Sequence, residues 1–282
     1  MNLLKSLFVT SYILASNAAA MVAVYRLFSD GAASPWLGTL IACGAPALFF
    51  NRLLLAPVAR TSDTLWPVLT AGVTGTAVSV LLAGGLIGWA GWLSLLIGVL
   101  ASVIYVFWYS RFSAPPASAP LKQGRPLPDF ELRDGSAVVT REQLTARPAL
   151  WVFFRGNWCP LCMAQIKEIA AQYQALAARG VEVYFVSPQS EDRSAALAKK
   201  FDAPMRFLTD PDNRVAEQLG ILEKNGLPAG FQALGYDSDV PRPSVFITDA
   251  EGTVIFLDLT DNYRVRPEPA QFFDVLDRHA AA

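Results

Sequence analysis

Three cysteines and one histidine are all the soft metal ligands that 282 residues supply. A structural zinc site needs four such groups. Outside the pair Cys159 and Cys162 only Cys43, in an apolar segment, and His279, near the C-terminal end, remain. No metal is expected, and nothing calls for another cofactor. Charge of one sign is missing too. Lys and Arg number 23 against 24 Asp and Glu, a net charge of −1, so there is no basic surplus to hold nucleic acid. Charge is scarcest at the front. Residues 1–111 hold five basic residues (Lys5, Arg26, Arg52, Arg60, Arg111) and two acids (Asp30, Asp63). An ordinary soluble domain is excluded there, whereas the rest of the chain has ordinary soluble composition.

What the first part has instead is long apolar runs. Four stand out, at about 6–28, 36–56, 64–84 and 87–109. Each approaches the ~20 residues that cross a hydrocarbon layer, so residues 1–111 are read as a helical membrane domain of about four spans in contact with a lipid bilayer. Asn51 and Arg52 interrupt the second run and make it the weakest. Trp36, Trp66, Trp89, Trp92 and Trp108 fall near the ends of runs, as interfacial aromatics do. With the N-terminus inside, Lys5, Arg52, Arg60, Arg111, Lys122 and Arg125 lie on one side and Arg26 alone on the other. The excess of positive charge predicts that both ends are cytoplasmic. The protein is thus expected to be a multi-pass integral membrane protein. Small residues such as Ala71 and Gly75, or Gly84 and Gly88, suit close helix packing.

A Pro/Ala/Ser linker, residues 112–124, leads into a third segment, 125–282. Pro128 to Leu132 and Ala137 to Thr140 flank the turn Asp134-Gly135 as a hairpin. Strand-length runs follow at Leu150 to Phe154, Val181 to Val186, Met205 to Thr209, Ser244 to Thr248 and Val254 to Asp258. Helical patterns fill Met163 to Ala178, Glu191 to Phe201, Val215 to Leu219 and Glu268 to Ala280, and a Gly- and Pro-rich loop runs on to Pro241. This alternation predicts an α/β fold with a mixed central sheet under helices.

Between the first of those strands and its helix lies Trp158-Cys159-Pro160-Leu161-Cys162. A C-x-x-C at a helix start reads as a reversible dithiol. The N-terminus of a helix favours a thiolate. Cys159 is expected there, half exposed, with Cys162 one turn further in, close enough to resolve an adduct on Cys159. Pro160 suits the first helical position, where its missing N–H is no loss. Arg155 adds a cation that would lower the Cys159 pKa below the free value of about 8.5.

The segment from about 125 onward resembles a thioredoxin-fold protein, closest to peroxiredoxin-like members of the alkyl hydroperoxide reductase/thiol-specific antioxidant superfamily. Three stretches carry the resemblance: Leu127-Pro128-Asp129-Phe130-Glu131-Leu132, Phe153 to Cys162 with its R-G-x-W-C-P-x-C pattern, and Arg242-Pro243-Ser244-Val245-Phe246-Ile247. It implies Cys159 as nucleophile, Cys162 as resolving partner, Pro243 as a cis-proline packed on the disulfide, and Arg242 approaching the thiolate. Two positions depart from the related patterns. Gly156 stands where peroxiredoxins carry Thr or Ser, and Phe153 where thioredoxins carry a buried Asp. The expected function is a membrane-anchored thiol oxidoreductase that reduces peroxides through a sulfenic acid and a Cys159–Cys162 disulfide. A dithiol donor such as a thioredoxin would re-reduce the pair. A protein disulfide reductase using the same cysteines, and a redox-sensing or docking module without turnover, are the alternatives.

Overall fold

The first apolar run forms one helix, α1 (Asn2–Asp30), and the others form α2 (Trp36–Leu55), α3 (Trp66–Leu82) and α4 (Trp89–Tyr109). These come from a computed structural model that describes residues 2–114, 116, 118–201 and 203–281. By length and composition α1, α2 and α4 can cross a membrane. With its 17 residues, α3 is about 25 Å long at 1.5 Å per residue, short of a ~30 Å hydrocarbon layer. So three of the four expected spans meet that length. Within α4 the turns widen to π-helix over Ser94–Ala101 and Tyr105–Tyr109.

Glycines set the spacing of the bundle. A Cβ on Gly75 would fall 2.5 Å from both the Ala42 nitrogen and the Gly38 carbonyl oxygen, so α2 and α3 touch backbone to backbone. Gly72 meets α4 at the Gly98 carbonyl in the same way, whereas a Cβ on Gly84 or Gly88 would meet nothing. Of the four small residues singled out from sequence, Gly75 is thus the glycine in a close approach. Gly75→Val should separate α2 from α3 at a cost of about 1–3 kcal/mol or more. The check is a lowered melting temperature of the detergent-solubilised chain, against no change for Gly88→Ala. Cys43 is fully buried in this bundle, its thiol 3.7 Å from the Leu93 carbonyl.

Of the linker, Pro115 and Ala117 lie outside the described residues. Beyond it stands a seven-stranded sheet in the order β2-β1-β5-β4-β3-β8-β9. Its members are β1 (Glu131–Asp134), β2 (Ala137–Thr140), β3 (Ala149–Phe153), β4 (Glu182–Ser187), β5 (Arg206–Thr209), β8 (Ser244–Thr248) and β9 (Val254–Asp258). β3, β4 and β5 are parallel, while β8 runs antiparallel to β3 and β9. This is the mixed sheet expected of a thioredoxin-like fold. Every residue of β3 and β8 is buried, as strands covered on both faces require. The helices are α5 (Arg141–Leu144), α6 (Pro160–Ala171), α7 (Tyr173–Ala177), α8 (Glu191–Ala198), α9 (Arg214–Gln218) and α10 (Pro269–Ala280). The expected helix from Met163 to Ala178 is two helices, α6 and α7. The Gly- and Pro-rich loop also contains a short antiparallel pair, β6 (Leu222–Glu223) with β7 (Val240–Pro241). Two residues per strand are too few for an alternating pattern to show.

The two parts meet at one end of the bundle. The stretch after β9, residues 259–268, supplies most of the contact. The fully buried Arg264 donates to Ser110 Oγ at 2.9 Å, Thr61 Oγ1 at 2.9 Å, the Ser62 carbonyl at 2.7 Å and the Asp63 carbonyl at 2.8 Å. Tyr105 and Tyr263 join hydroxyls at 2.5 Å. Asp63 bridges Arg111 at 2.6 Å and Asn262 at 2.7 Å, and Arg60 pairs with Glu168. A buried guanidinium with all its partners across the junction makes this a fixed docking.

Candidate active site

β3 ends at Phe153, and the chain turns through residues 154–158 before α6 begins. Gly156 makes that turn at φ +138°, a conformation that L side chains rarely adopt. A Cβ there would also strike the Trp158 ring, 2.7 Å from Nε1. Thr or Ser is therefore sterically shut out of this turn. Gly156→Thr, which would restore a hydroxyl at this position, should displace Trp158 and destabilise the fold by about 1–3 kcal/mol. A melting temperature at or above that of the parent chain would count against this account. The turn is tied down elsewhere. The Asn157 N–H donates to Gln189 Oε1 at 2.9 Å, and Tyr236 donates to Asn157 Oδ1 at 2.6 Å.

Cys159 caps α6, its sulfur accepting the Cys162 N–H at 3.4 Å, and Pro160 opens the helix. Both cysteines are free thiols, and both are buried, Cys159 at 2 % exposure and Cys162 at 0 %. The half-exposed Cys159 expected from sequence is not found, because side chains of α1 and α2 cover it.

Electrostatics also depart from expectation. Burial pushes the Cys159 thiol up, as do its contact with Cys162 and the charge there. Burial acts on Cys162 in the same direction but is outweighed. The Cys159 hydrogen bond, the Arg266 charge and the Arg155 backbone N–H together bring Cys162 down to about 5. The two sulfurs thus share a proton across their contact, and Arg266 draws negative charge toward Cys162. The Cys159 hydrogen bond is the first of the influences that lower Cys162, and the buried cation, nearer to Cys162 than to Cys159, adds to it. Arg266 Nη2 is 3.5 Å from Cys162 Sγ and 3.9 Å from Cys159 Sγ. Gln165 Oε1 accepts Arg266 Nη1 at 2.7 Å and fixes the guanidinium.

Sequence reasoning missed Arg266. The signal is faint: an Arg264-Val265-Arg266 repeat in a loop whose neighbours depend on how the two parts dock. The arginine expected at the thiols, Arg242, is engaged elsewhere. It is buried, pairs with Glu223 at 2.6 Å, donates to the Ser113 carbonyl at 2.6 Å and lies over the Phe112 ring. Pro243 is buried beside it and follows a trans peptide, since no cis bond occurs among the described residues. Arg155 does come to the site. Its guanidinium donates to the Gly226 carbonyl and lies 4.9 Å from the centre of the Trp158 ring. It lowers the Cys159 pKa, but burial wins.

Cys159 opens on a cavity of about 260 Å³. Its walls come from Ile13 and Leu14 of α1, Phe50 and Leu54 of α2, and Trp158 and Phe231 on the thiol side. Trp158 Nε1 is buried without a hydrogen-bond partner. Among the described residues no cluster of three or more His, Cys, Asp or Glu stands ready for a metal. The arrangement suits two-electron thiol chemistry: one sulfur at a cavity, a second in contact behind it, and a cation beside the second.

The sequence model of the AhpC/TSA family matches residues 123–257. Chloroplastic peroxiredoxin Q of Sedum lineare is 28% identical over 122 residues, covering 40% of this chain and 64% of that one. The Populus jackii peroxiredoxin Q is 23% identical over 151 residues, with 53% and 64% covered. The chain thus spans a little under two thirds of these plant proteins. The putative peroxiredoxin bcp of Haemophilus influenzae is 25% identical over 158 residues, with 56% and 97% covered. Among solved structures, reduced Prx3 from Vibrio vulnificus superimposes with a TM-score of 0.49 at 20% identity, covering 56% of this chain and 99% of that one. The C-terminal half therefore carries an AhpC/TSA-type, peroxiredoxin-family domain, and helices α1 to α4 lie outside the match.

Proposed function

We propose that this peroxiredoxin-family domain is held at a membrane by α1 to α4 and works as a thiol peroxidase. The observation that carries the reading is the Arg266 guanidinium 3.5 Å from Cys162 sulfur, behind a Cys159 that lines a cavity where Cys162 does not.

Cys159 sulfur attacks the terminal oxygen of a hydroperoxide as its proton passes to Cys162. The O–O bond breaks, the leaving alkoxide takes that proton on from Cys162, which is left as a thiolate, and Cys159 becomes a sulfenic acid. The Cys162 thiolate then attacks Cys159 sulfur. The S–O bond breaks, hydroxide leaves and takes a proton from solvent to become water, and a disulfide forms. Two electrons have moved from the thiols to the peroxide, giving an alcohol and water. A dithiol donor of the thioredoxin kind restores the pair by exchange.

Lys5, Arg60 and Arg111 gather at the thiol end of the bundle, where each binds or pairs with its surroundings. Arg26 pairs with Asp30 at the other end of α1. This distribution supports a multi-pass protein with the thiol domain on the cytoplasmic side. Burial of Cys159 argues against a protein disulfide as first substrate, since a protein loop needs an exposed sulfur to reach.

The test uses the reduced full chain in lipid nanodiscs, mixed rapidly with a hydroperoxide or with a disulfide-bonded protein. Trp158 fluorescence is followed and the disulfide is checked by mass spectrometry. Fast oxidation by the hydroperoxide and slow exchange with the protein is expected. The reverse order would make this a disulfide reductase.

A further inference from the structure

We propose that the cavity at Cys159 is an acyl-chain subsite opening sideways into the bilayer, and that its occupant is a hydroperoxide borne on a membrane lipid's acyl chain. The inference rests on the peroxidase and membrane readings above and assigns α1 and α2 a part in binding substrate.

The rim of the cavity points to the occupant. Leu14 and Leu54 line it, yet they are 66 % and 60 % exposed. Both sit on helices long and apolar enough to cross a membrane. Side chains that line a cavity and also face lipid mark an opening toward lipid. Its level agrees with the border between lipid and the thiol domain. Thr10, one turn before Leu14, is bonded to the Ala229 carbonyl of the thiol domain at 2.9 Å, and Asn17, one turn beyond it, accepts from Asn51 at 2.7 Å beside the exposed Arg52. A mouth at that polar border meets the bilayer where an oxidised, more polar acyl segment comes toward the surface.

The walls favour this source over a water-soluble peroxide. Such a peroxide exchanges its hydration for hydrogen bonds, and here most polar wall groups are already engaged, with the Trp158 Nε1–H left as a donor without a partner. Thr10 donates to the Ala229 carbonyl at 2.9 Å, Arg155 to the Gly226 carbonyl, and Tyr263 is bonded to Tyr105. An acyl chain needs no such partners. It fills the space between Ile13 and Phe50 with apolar contact and brings the O–O bond to Cys159.

The experiment compares phosphatidylcholine hydroperoxide, placed in the nanodisc that holds the full chain, with hydrogen peroxide at equal total concentration. Disulfide formation is expected at least tenfold faster with the lipid. Ile13→Trp, which fills the cavity, should lower the lipid-to-hydrogen-peroxide rate ratio at least fivefold. So should Leu54→Trp at the exposed rim, which tolerates bulk if Ile13→Trp misfolds. Leu81→Trp, on the exposed side of α3, should leave the ratio alone. A wild-type chain faster with hydrogen peroxide, or a ratio unmoved by both cavity variants, overturns the subsite while leaving a peroxidase. Oxidation by neither peroxide, with rapid exchange against a protein disulfide, overturns the peroxidase reading and the subsite together.

Discussion

Cys159→Ser should lower peroxide-driven oxidation by roughly a thousandfold or more, whereas Cys162→Ser should stop the cycle halfway. Cys159 lines the cavity and Cys162 does not, so only Cys159 sulfur meets the O–O bond. Without it the remaining thiolate is fully buried behind the helix start, and loss of a nucleophile removes the whole unit's contribution. In Cys162→Ser the first step survives, slowed by loss of the thiolate that draws off the Cys159 proton. The product is a sulfenic acid with no thiol to condense with. It should be trapped by a dione reagent and appear by mass as one added oxygen, and turnover with a dithiol donor should fall to the rate at which that donor attacks Cys159 directly. Unchanged turnover in Cys162→Ser would show that Cys162 is not the resolving partner.

What could be read from sequence was local. The strands Ser244–Thr248 and Val254–Asp258 fall where their apolar runs put them. The pair at the start of α6 follows from a C-x-x-C after a strand, with Pro160 at the first helical position. The site's environment was not readable, because it is made by chain far away. Val9 and Phe50 belong to the apolar cluster that holds Cys159 and Cys162, and no pattern around Cys159 announces that cover. Arg242 matched a motif, but its fate was settled by Glu223, half-buried beside it across the β6–β7 pair. Its place at the sulfurs is filled by Arg266, which arrives on a loop that Arg264 clamps to the bundle. The same non-local docking explains both misreadings: it buries Cys159, which raises its pKa, and it delivers the cation to Cys162.

Arg266→Met should therefore change the pH dependence of the site more than its architecture. The depressed thiol is Cys162 at about 5, so the charge is present above that pH and is lost as pH falls through it. Losing an opposite charge at this range raises a thiol by about 1–3 pKa units, so at pH 6 the variant should be much less ionised than the wild type and its oxidation by hydroperoxide roughly tenfold slower. At pH 9 both are ionised and the rates should converge. Thiolate absorbance in the ultraviolet, titrated on the reduced full chain, reads the shift directly. Arg266→Lys keeps the charge but not the fork that binds Gln165 and sulfur together. It should titrate between the two, because ammonium supplies the field without the fixed geometry. Slowing that is equal at every pH would make Arg266 a purely structural strut. A thiol pair that still titrates near 5 in Arg266→Met would place the source of the low pKa in the Cys159 hydrogen bond and the Arg155 backbone N–H instead.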